Sequence, residues 1–363
     1  MTMSNKYLSI ISLILAAFVL LSGVSCTRQE LPGGAVTISL SSCLPETRGA
    51  AEIKDGSEIY FGTDDNPDLI LLIFDNNGNL VARYPDGANS EKMDGATPTD
   101  FSIRLKKRTN GEQIPEGTYA VYAVANTGEG LWTMSDGTNA VSINILKTNN
   151  SLTKTTLENL IFTGVPTDAG RLPLTAKGTV TVNTAGNGNA ALSLSRPVAK
   201  VVVKLVNNFG NDLTLNPFSV TLTNLVSDKG YLFSHTPDFP TGVSYSDFSH
   251  SVPNTDESEV VLPYNTNPDN AIYEIPSFVF PGTGSYKCSL SFSITKVGQA
   301  TLAPPKPFNF QDLSVHNNRG EDITSVARNQ CLTITVSINK GSMLSFNFDV
   351  SDWTEHTENV TFD

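Results

Sequence analysis

Motifs that carry catalysis or bind metal are missing from this chain of 363 residues. Its four histidines, at positions 235, 250, 316 and 356, are far apart, and none has the spacing of a metal motif such as HExxH. The sequence also lacks a GxSxG nucleophile elbow, a phosphate-binding P-loop and a GxGxxG turn that leads into a helix. We therefore predict no catalytic residues, no metal site, no cofactor and no enzymatic activity.

Charged residues are also scarce, at 17% of the chain, while Thr, Ser, Asn and Gly are abundant. This composition favours an extracellular β protein with polar, uncharged outer faces over a cytosolic helical one. The formal net charge is −12. Since nucleic acid is bound through a basic surface, this balance argues against nucleic acid as a partner.

Cysteine is rare as well, and the first of the four cysteines ends a targeting segment. A lysine precedes an apolar run at residues 7–21, which is followed by small residues and then Cys26. This layout predicts a lipoprotein signal peptide over residues 1–25, with lipid carried on the Cys26 thiol. Gly23 stands where such signals usually have leucine, and the alternative is an ordinary signal peptide followed by an unpaired cysteine.

No later stretch has the roughly 18 apolar residues of a transmembrane helix, so we expect an exported chain that is held to a membrane only by lipid. In an exported protein Cys288 and Cys331 could form a disulfide or remain buried thiols. Spacing does not decide between these two states.

Apolar residues alternate with polar ones in most of the chain, which predicts strands with one buried face. Clear cases lie at residues 35–41, 100–105, 119–126, 140–146, 289–295 and 332–339. Residues 68–84 predict a hairpin with a type I′ turn at Asn77 and Gly78, and its nearly continuous apolar first strand should be covered on both faces. Helix is expected only as a turn or two within residues 151–160.

A polar break rich in Gly and Asn, at residues 183–190, divides the chain. We predict an all-β fold with two β-sandwich domains in tandem, each Greek-key or transthyretin-like. Residues 49–188 would form the N-terminal domain and residues 189–363 the C-terminal domain.

The segment over residues 26–48 contains one strand and a protease site. Val36, Ile38 and Leu40 face one side of the strand, and LPETRGA follows it. A sortase signal precedes a hydrophobic C-terminal segment, whereas this motif stands near the N-terminus. If an arginine-specific protease cut between Arg48 and Gly49, the strand would lose its covalent link and open an apolar groove that another chain could fill.

The C-terminal residues have the composition of a strand that could fill such a groove. Their alternating apolar side chains are Leu344, Phe346, Phe348 and Val350, followed after a polar bend by Val360 and Phe362. Periodicity alone leaves open whether these are donor strands or ordinary strands of their own domain.

The sequence resembles the fimbrillins of Bacteroidia, the subunits of type V pili, including the FimA-like and Mfa-like groups. The resemblance is carried by the signal ending at Cys26, the strand with Arg48, DLILLIFDNNGNLV, LSRPVAKVVVKL and ARNQCLTITVSINKGSMLSFNFDVSDW. It extends over nearly the whole chain.

This resemblance implies a route of assembly at the cell surface. The precursor would be lipidated at Cys26, carried to the outer membrane and cut after Arg48 by an arginine-specific protease. It would then polymerise with other pilin subunits by strand exchange, with Val36, Ile38 and Leu40 as the removable strand and residues from Leu344 to Phe362 as the donor. Cys43 lies in the removed segment without an evident role.

Because both a removable strand and a donor are present, the expected role is a stalk subunit that supports adhesion, with an anchor or tip subunit as the alternative. A glycan-binding surface lipoprotein is a different possibility. Its candidate aromatic platform is Trp132, Tyr231, Phe233, Phe239, Tyr245 and Phe248. The competing interpretation is that these aromatics cover the edges of the sandwich.

Overall fold

A computed structural model describes residues 34–42, 68–94, 101–126, 133–163, 172–252, 259–264, 273–317, 319–340 and 343–352. The chain is nearly all β, which confirms the predicted class. Several predicted functional residues lie outside the described ranges, namely Cys26, Arg48, Gly49, Trp132, Val360 and Phe362.

The first part of the chain contains eleven of the described strands and two short helices. The strands are β1 (Val36–Ser42), β2 (Leu69–Phe74), β3 (Leu80–Tyr84), β4 (Ser90–Asp94), β5 (Phe101–Leu105), β6 (Gly117–Ala125), β7 (Thr133–Ser135), β8 (Ala140–Val141), β9 (Ile161–Thr163), β10 (Leu174–Val182) and β11 (Gly188–Leu194). A 3₁₀ turn lies at Gly87–Asn89, and the helices are α1 (Asn144–Thr148) and α2 (Lys154–Glu158).

The second part is built from strands alone in its described residues. They are β12 (Ala199–Asn208), β13 (Leu213–Ser227), β14 (Lys229–Tyr231), β15 (Tyr245–Val252), β16 (Val260–Leu262), β17 (Tyr273–Val279), β18 (Gly282–Thr283), β19 (Lys287–Val297), β20 (Ala300–Ser314), β21 (Ser325–Val326), β22 (Gln330–Asn339) and β23 (Met343–Asp352).

The first sandwich is one eight-stranded sheet that folds over on itself. Its order is β3-β2-β6-β10-β11-β1-β5-β4. β10 pairs with β11 at the hairpin, where Val182 faces Gly188, and meets it again at an isolated bridge between Thr175 and Ser195. The two halves of the sheet separate between these points and enclose a core that is aliphatic apart from Tyr84 and Tyr119.

β2 is buried on both faces, as its continuous apolar sequence predicted. Leu69, Leu71 and Ile73 belong to the core of the first sandwich, whereas the alternate residues Ile70, Leu72 and Phe74 face a second apolar cluster. β2 therefore lies between two apolar cores and contributes side chains to both.

The second sandwich packs the sheet β17-β12-β22-β23 against the sheet β15-β13-β19-β20, to which β16 is joined through β13. The apolar inner faces of both sheets form its core. Cys288 is fully buried in this core and Cys331 packs against the neighbouring cluster, and within the described residues neither forms a disulfide.

Between the sandwiches lies a shared core, which we call the waist. Leu232, Phe233 and Phe280 of the second part pack there with residues of β2, β6 and both helices. β14 also pairs with β9 of the first part, so the two sandwiches share a small sheet as well as a core.

Polar bonds fix the same region. Arg328 forms an ion pair with Asp238 (2.8 Å), and the Lys177 ammonium of β10 donates to the Ser234 carbonyl (2.7 Å). The Tyr122 hydroxyl donates to the Glu158 carboxylate (2.6 Å). Burial, and then this bond, raise the pKa of Tyr122 well above its ordinary range.

Three sequence predictions about local structure need correction. The hairpin of β2 and β3 exists, but only Gly78 has a positive φ (82°), so its turn is not type I′, which requires positive φ at both central residues. Residues 140–146 give a two-residue strand followed by α1 instead of one strand. The predicted domain break at residues 183–190 forms the tight turn between β10 and β11, and the first sandwich continues to Leu194.

The physical reason is the same at both turns. Gly in the left-handed region closes a hairpin with one extra residue, so the Gly78 N–H donates to the Asp75 carbonyl and the Gly186 N–H to the Asn183 carbonyl. A composition rich in Gly and Asn suits such a turn as well as it suits a linker.

Candidate functional site

The N-terminal strand lies inside the first sheet and not at its edge. β1 pairs in parallel with β11 along all seven of its residues, from Val36 opposite Gly188 to Ser42 opposite Leu194. On its other side, five of its residues pair antiparallel with β5. We call the space between β5 and β11 the slot, and β1 fills it.

The inward side chains of β1 are part of the core of the first sandwich. Val36 and Ile38 are 0% exposed and Leu40 is 2% exposed. Their register partners on the same face include Ile103 and Leu105 of β5 and Leu192 of β11, all of them buried. Burial of three such side chains stabilises the fold by about 5 to 9 kcal/mol, at about 1.5 to 3 kcal/mol each.

The outward side chains of β1 are polar, as the alternation predicted. Ser39 is exposed, and its hydroxyl lies 3.1 Å from the hydroxyl of Ser102 on β5. Ser41 is exposed and Thr37 is half-buried. A strand that replaces β1 must therefore bury apolar side chains on its inner face and form backbone hydrogen bonds to both β5 and β11. On its outer face it can carry any small polar residue.

The beginning of β1 passes through a narrow gap. Gly34 has φ +45°, and a Cβ at this position would lie 2.3 Å from Nε2 of Gln113 and 2.7 Å from the Ala185 carbonyl oxygen. The following Ala35 N–H donates to the side-chain oxygen of Asn187 (3.1 Å), and the Ala35 carbonyl accepts from the Gly188 N–H (3.2 Å). This end of the slot, which we call the distal end, is closed by the turn between β10 and β11.

The other end of the slot lies close to the waist. Ser42 is opposite Leu194, and the waist residue Val198 follows four residues later along the chain. The predicted cleavage residues Arg48 and Gly49 come soon after Ser42 in the sequence, outside the described residues.

The predicted donor strand is present as β23, an edge strand of the second sandwich. All ten of its residues pair antiparallel with β22, and among the described strands none pairs with its other edge. Phe348 is 3% exposed, while Leu344, Phe346 and Val350 are half-buried against the same core. The structure thus shows β23 packed on its own domain.

Sequence reasoning found the apolar residues of β1 but missed those that close the distal end. Gln113 and Asn187 stand in polar turns far along the chain, and their sequence carries no sign that they meet β1. Gly34 had a detectable signal, because a glycine directly before an alternating strand marks a close backbone approach.

The aromatic side chains proposed for glycan binding do not form an exposed platform. Phe233 and Phe248 are buried, and Tyr231, Phe239 and Tyr245 are half-buried. Tyr231 stacks on His235 with ring centroids 4.3 Å apart. This packing supports the interpretation that these residues cover the sandwich and the waist.

A polar cavity of about 160 Å³ opens at the waist, between β10 and the loop after β14. Its two cationic side chains are Lys177 and Arg328, and both are already bonded to groups of the second sandwich. In the described part of the chain, no three His, Cys, Asp or Glu side chains come together as a metal site would need. Among the described residues there is also no helix with the length and apolar character of a membrane span.

Comparison with known proteins gives one family. The family model described as "Fimbrillin-A associated anchor proteins Mfa1 and Mfa2" matches residues 60–359. Comparison with curated protein sequences finds no match.

Three of the solved structures that match this chain are fimbrial proteins, all at low sequence identity. The tip fimbrial protein Mfa3 of Porphyromonas gingivalis is 13% identical, with 88% of this chain and 99% of that chain covered and a TM-score of 0.45. A fimbrilin (fimA) of Porphyromonas gingivalis W83 is 10% identical, with coverage of 88% and 97% and a TM-score of 0.47. A fimbrial assembly protein of Parabacteroides distasonis ATCC 8503 is 13% identical, with coverage of 87% and 97% and a TM-score of 0.38.

The match to the family model spans most of the chain and includes both sandwiches from β2 to β23. The chain belongs to the family of fimbrillin-A associated anchor proteins Mfa1 and Mfa2.

Proposed function

We propose that this protein is a structural subunit of a cell-surface fimbrium that is joined to its neighbours by exchange of one β-strand. The observation that carries the proposal is the position of β1. A strand shortly before Arg48 is fully integrated between β5 and β11, although both partners lie much later in the sequence. One cut after it would leave β1 attached to the fold by noncovalent contacts alone.

The proposed route begins at the outer membrane, where lipid on Cys26 holds the precursor. An arginine-specific protease then cuts between Arg48 and Gly49. Loss of β1 exposes the facing edges of β5 and β11 together with apolar side chains such as Ile103 and Leu192. Such an open slot is strongly favoured to accept a strand from another pilin subunit.

The C-terminal residues are proposed as the strand that this subunit donates to its neighbour. Leu344, Phe346, Phe348 and Val350 form the apolar face of β23, and among the described strands β23 is bonded to β22 alone. Val360 and Phe362, which follow, complete the proposed donor. A strand held by one ladder separates more easily than β1, which is held by two.

Two positions in the fimbrium are consistent with these parts. A stalk subunit that supports adhesion needs both a removable strand and a donor, and the sequence predicts both. An anchor subunit would keep its lipid and its β1, and this position is favoured by the description of the matching family. The fate of the bond between Arg48 and Gly49 distinguishes the two.

The test is mass spectrometry of the protein recovered from the cell surface, to read its first residue and detect lipid. A stalk subunit should begin at Gly49 without acyl chains, whereas an anchor should begin at Cys26 and carry lipid. The variant Arg48→Ala should accumulate as a lipidated monomer, and Glu46→Ala, which keeps the arginine, should be processed like the wild type. Normal fimbriae from Arg48→Ala with a mature chain beginning elsewhere would contradict the cleavage step.

A further inference from the structure

We infer that the slot is matched to an aliphatic strand of a different subunit and rejects this chain's own β23, so that the protein joins unlike subunits instead of copies of itself. The inference rests on the proposed strand exchange and adds a rule for which partner is accepted. Two independent features of the slot support it: the size of its side-chain sites and the narrow gap at its distal end.

The side-chain sites of the slot are filled by Val36, Ile38 and Leu40, which leave almost no exposed surface. β23 presents four alternating apolar residues, Leu344, Phe346, Phe348 and Val350. Any three consecutive members of this set include both phenylalanines. Every placement of β23 would therefore put two phenyl rings into sites sized for aliphatic side chains, and overpacking of a close-packed core is destabilising.

The distal end of the slot adds a backbone requirement. Gly34 lies two residues before Val36, with φ +45° and with no room for a Cβ beside the Ala185 carbonyl. If β23 entered in the direction of β1 with Leu344 in the place of Val36, Ser342 would take the place of Gly34. With Phe346 in the place of Val36, Leu344 would take the place of Gly34. Residues 342–363 contain no glycine, so this gap selects against the C-terminal segment as a whole.

Reversal of the strand does not remove the conflict. β1 is parallel to β11 and antiparallel to β5, so a strand inserted in either direction forms one parallel and one antiparallel ladder. In the reversed direction, Asp352 would lie at the gap if Val350 took the place of Val36, and Val350 would lie there if Phe348 took that place. Both phenylalanines would still enter the slot.

The phenylalanines of β23 have an aromatic environment in their own domain. Phe346 meets the Phe310 ring edge to face, with centroids 5.5 Å apart, and Phe348 lies 6.2 Å from the His316 ring. β23 is thus shaped for sites that hold aromatic rings. A neighbour that accepts it must offer such sites, and the slot of this chain does not.

These requirements define the sequence of a partner strand that fits the slot. It has valine-, isoleucine- or leucine-sized side chains at three alternating positions, small polar residues between them and a glycine two residues before the first. A stalk that contained this protein would have to alternate with another subunit, whereas an anchor position needs only one such junction.

The experiment uses the full chain with residues 44–49 replaced by the recognition sequence of a site-specific protease. After the cut, the protein is incubated in moderate urea with an excess of labelled peptide, and native mass spectrometry follows the loss of the N-terminal fragment and the uptake of peptide. The peptides are residues 33–42, residues 341–352, and residues 341–352 with Phe346→Ile, Phe348→Leu and Ser342→Gly.

We expect the peptide of residues 33–42 to exchange and the native peptide of residues 341–352 to be taken up at least tenfold less. The triply substituted peptide should recover most of this loss, and the cut protein alone should remain monomeric in size-exclusion chromatography. Equal uptake of both native peptides, or spontaneous polymers of the cut protein, would overturn the partner rule but leave strand exchange intact. Failure of every peptide to exchange, including residues 33–42, would overturn the proposed function itself.

Discussion

The substitution Ile38→Ala tests whether β1 is held in the slot by its core side chains. Ile38 is 0% exposed and is the middle inward residue of β1, opposite Ile103 on one side and Ala190 on the other. Removal of an isoleucine side chain from such a site costs about 2 to 5 kcal/mol, because the cavity collapses only in part. We take about 3 kcal/mol, which corresponds to a factor of about 150 in an equilibrium constant at 1.4 kcal/mol per tenfold.

This loss should appear in two different measurements. In the uncut chain, urea unfolding should show a free energy of unfolding lowered by about 3 kcal/mol. In the chain cut after residue 48, the same substitution should raise the dissociation constant of the N-terminal fragment by about two orders of magnitude. Thr37→Ala is the matched control, since Thr37 is the adjacent residue on the outer face.

Ile38→Ala should lower the free energy of unfolding more than Thr37→Ala does. If Ile38→Ala and Thr37→Ala lowered the free energy of unfolding equally, β1 would not be part of the core. If Ile38→Ala destabilised the uncut chain but left release of the fragment unchanged, strand loss would be limited by something other than the slot.

Three further predictions concern the donor, the alkaline range and the waist. Phe348→Asp, and separately deletion of residues 360–363, should leave the first sandwich folded but block fibre growth, as seen by electron microscopy and circular dichroism; growth unaffected by both would place the donor elsewhere. Burial raises the pKa of Tyr286 from 10.0 to about 12, so the stability that this shift supplies is complete below pH 10 and lost between pH 10 and about 12. Tyr286→Phe should flatten that decline in urea titrations, and an unchanged slope would contradict the assignment. Asp238→Asn should cost about 1 to 3 kcal/mol because Arg328 keeps its charge and loses its ion-pair partner, and a change below the error of urea unfolding would show that the pair contributes nothing.

Much of the fold could be predicted because burial of one face imposes a period of two. β1, β6, β19 and β22 all lie where alternation placed them. The continuous apolar sequence of β2 also predicted its cover on both faces. Residues 140–146 show the limit, since the alternation there continues into α1, and short segments are decided by their tertiary surroundings.

The candidate site could be predicted only in part. Alternation identified Val36, Ile38 and Leu40 as buried, but not that the slot lies between β5 and β11. Those partners are distant in sequence, and register between distant strands is fixed by the assembled core. The waist could not be predicted for a similar reason, because Phe233 and Phe280 lie in loops whose sequence does not show what they pack against.

The two ladders that flank β1 also determine how a joint at this site would respond to a mechanical load. A strand that lies in the slot and is pulled along its own axis loads the hydrogen bonds to β5 and β11 in shear, so that many bonds resist at once. β23, which pairs with β22 alone among the described strands, can instead be separated from one end, one bond after another. Filaments joined through the slot would therefore be strong under tension along the fibre, and the shared core and small sheet of the waist would pass that tension from one sandwich to the next.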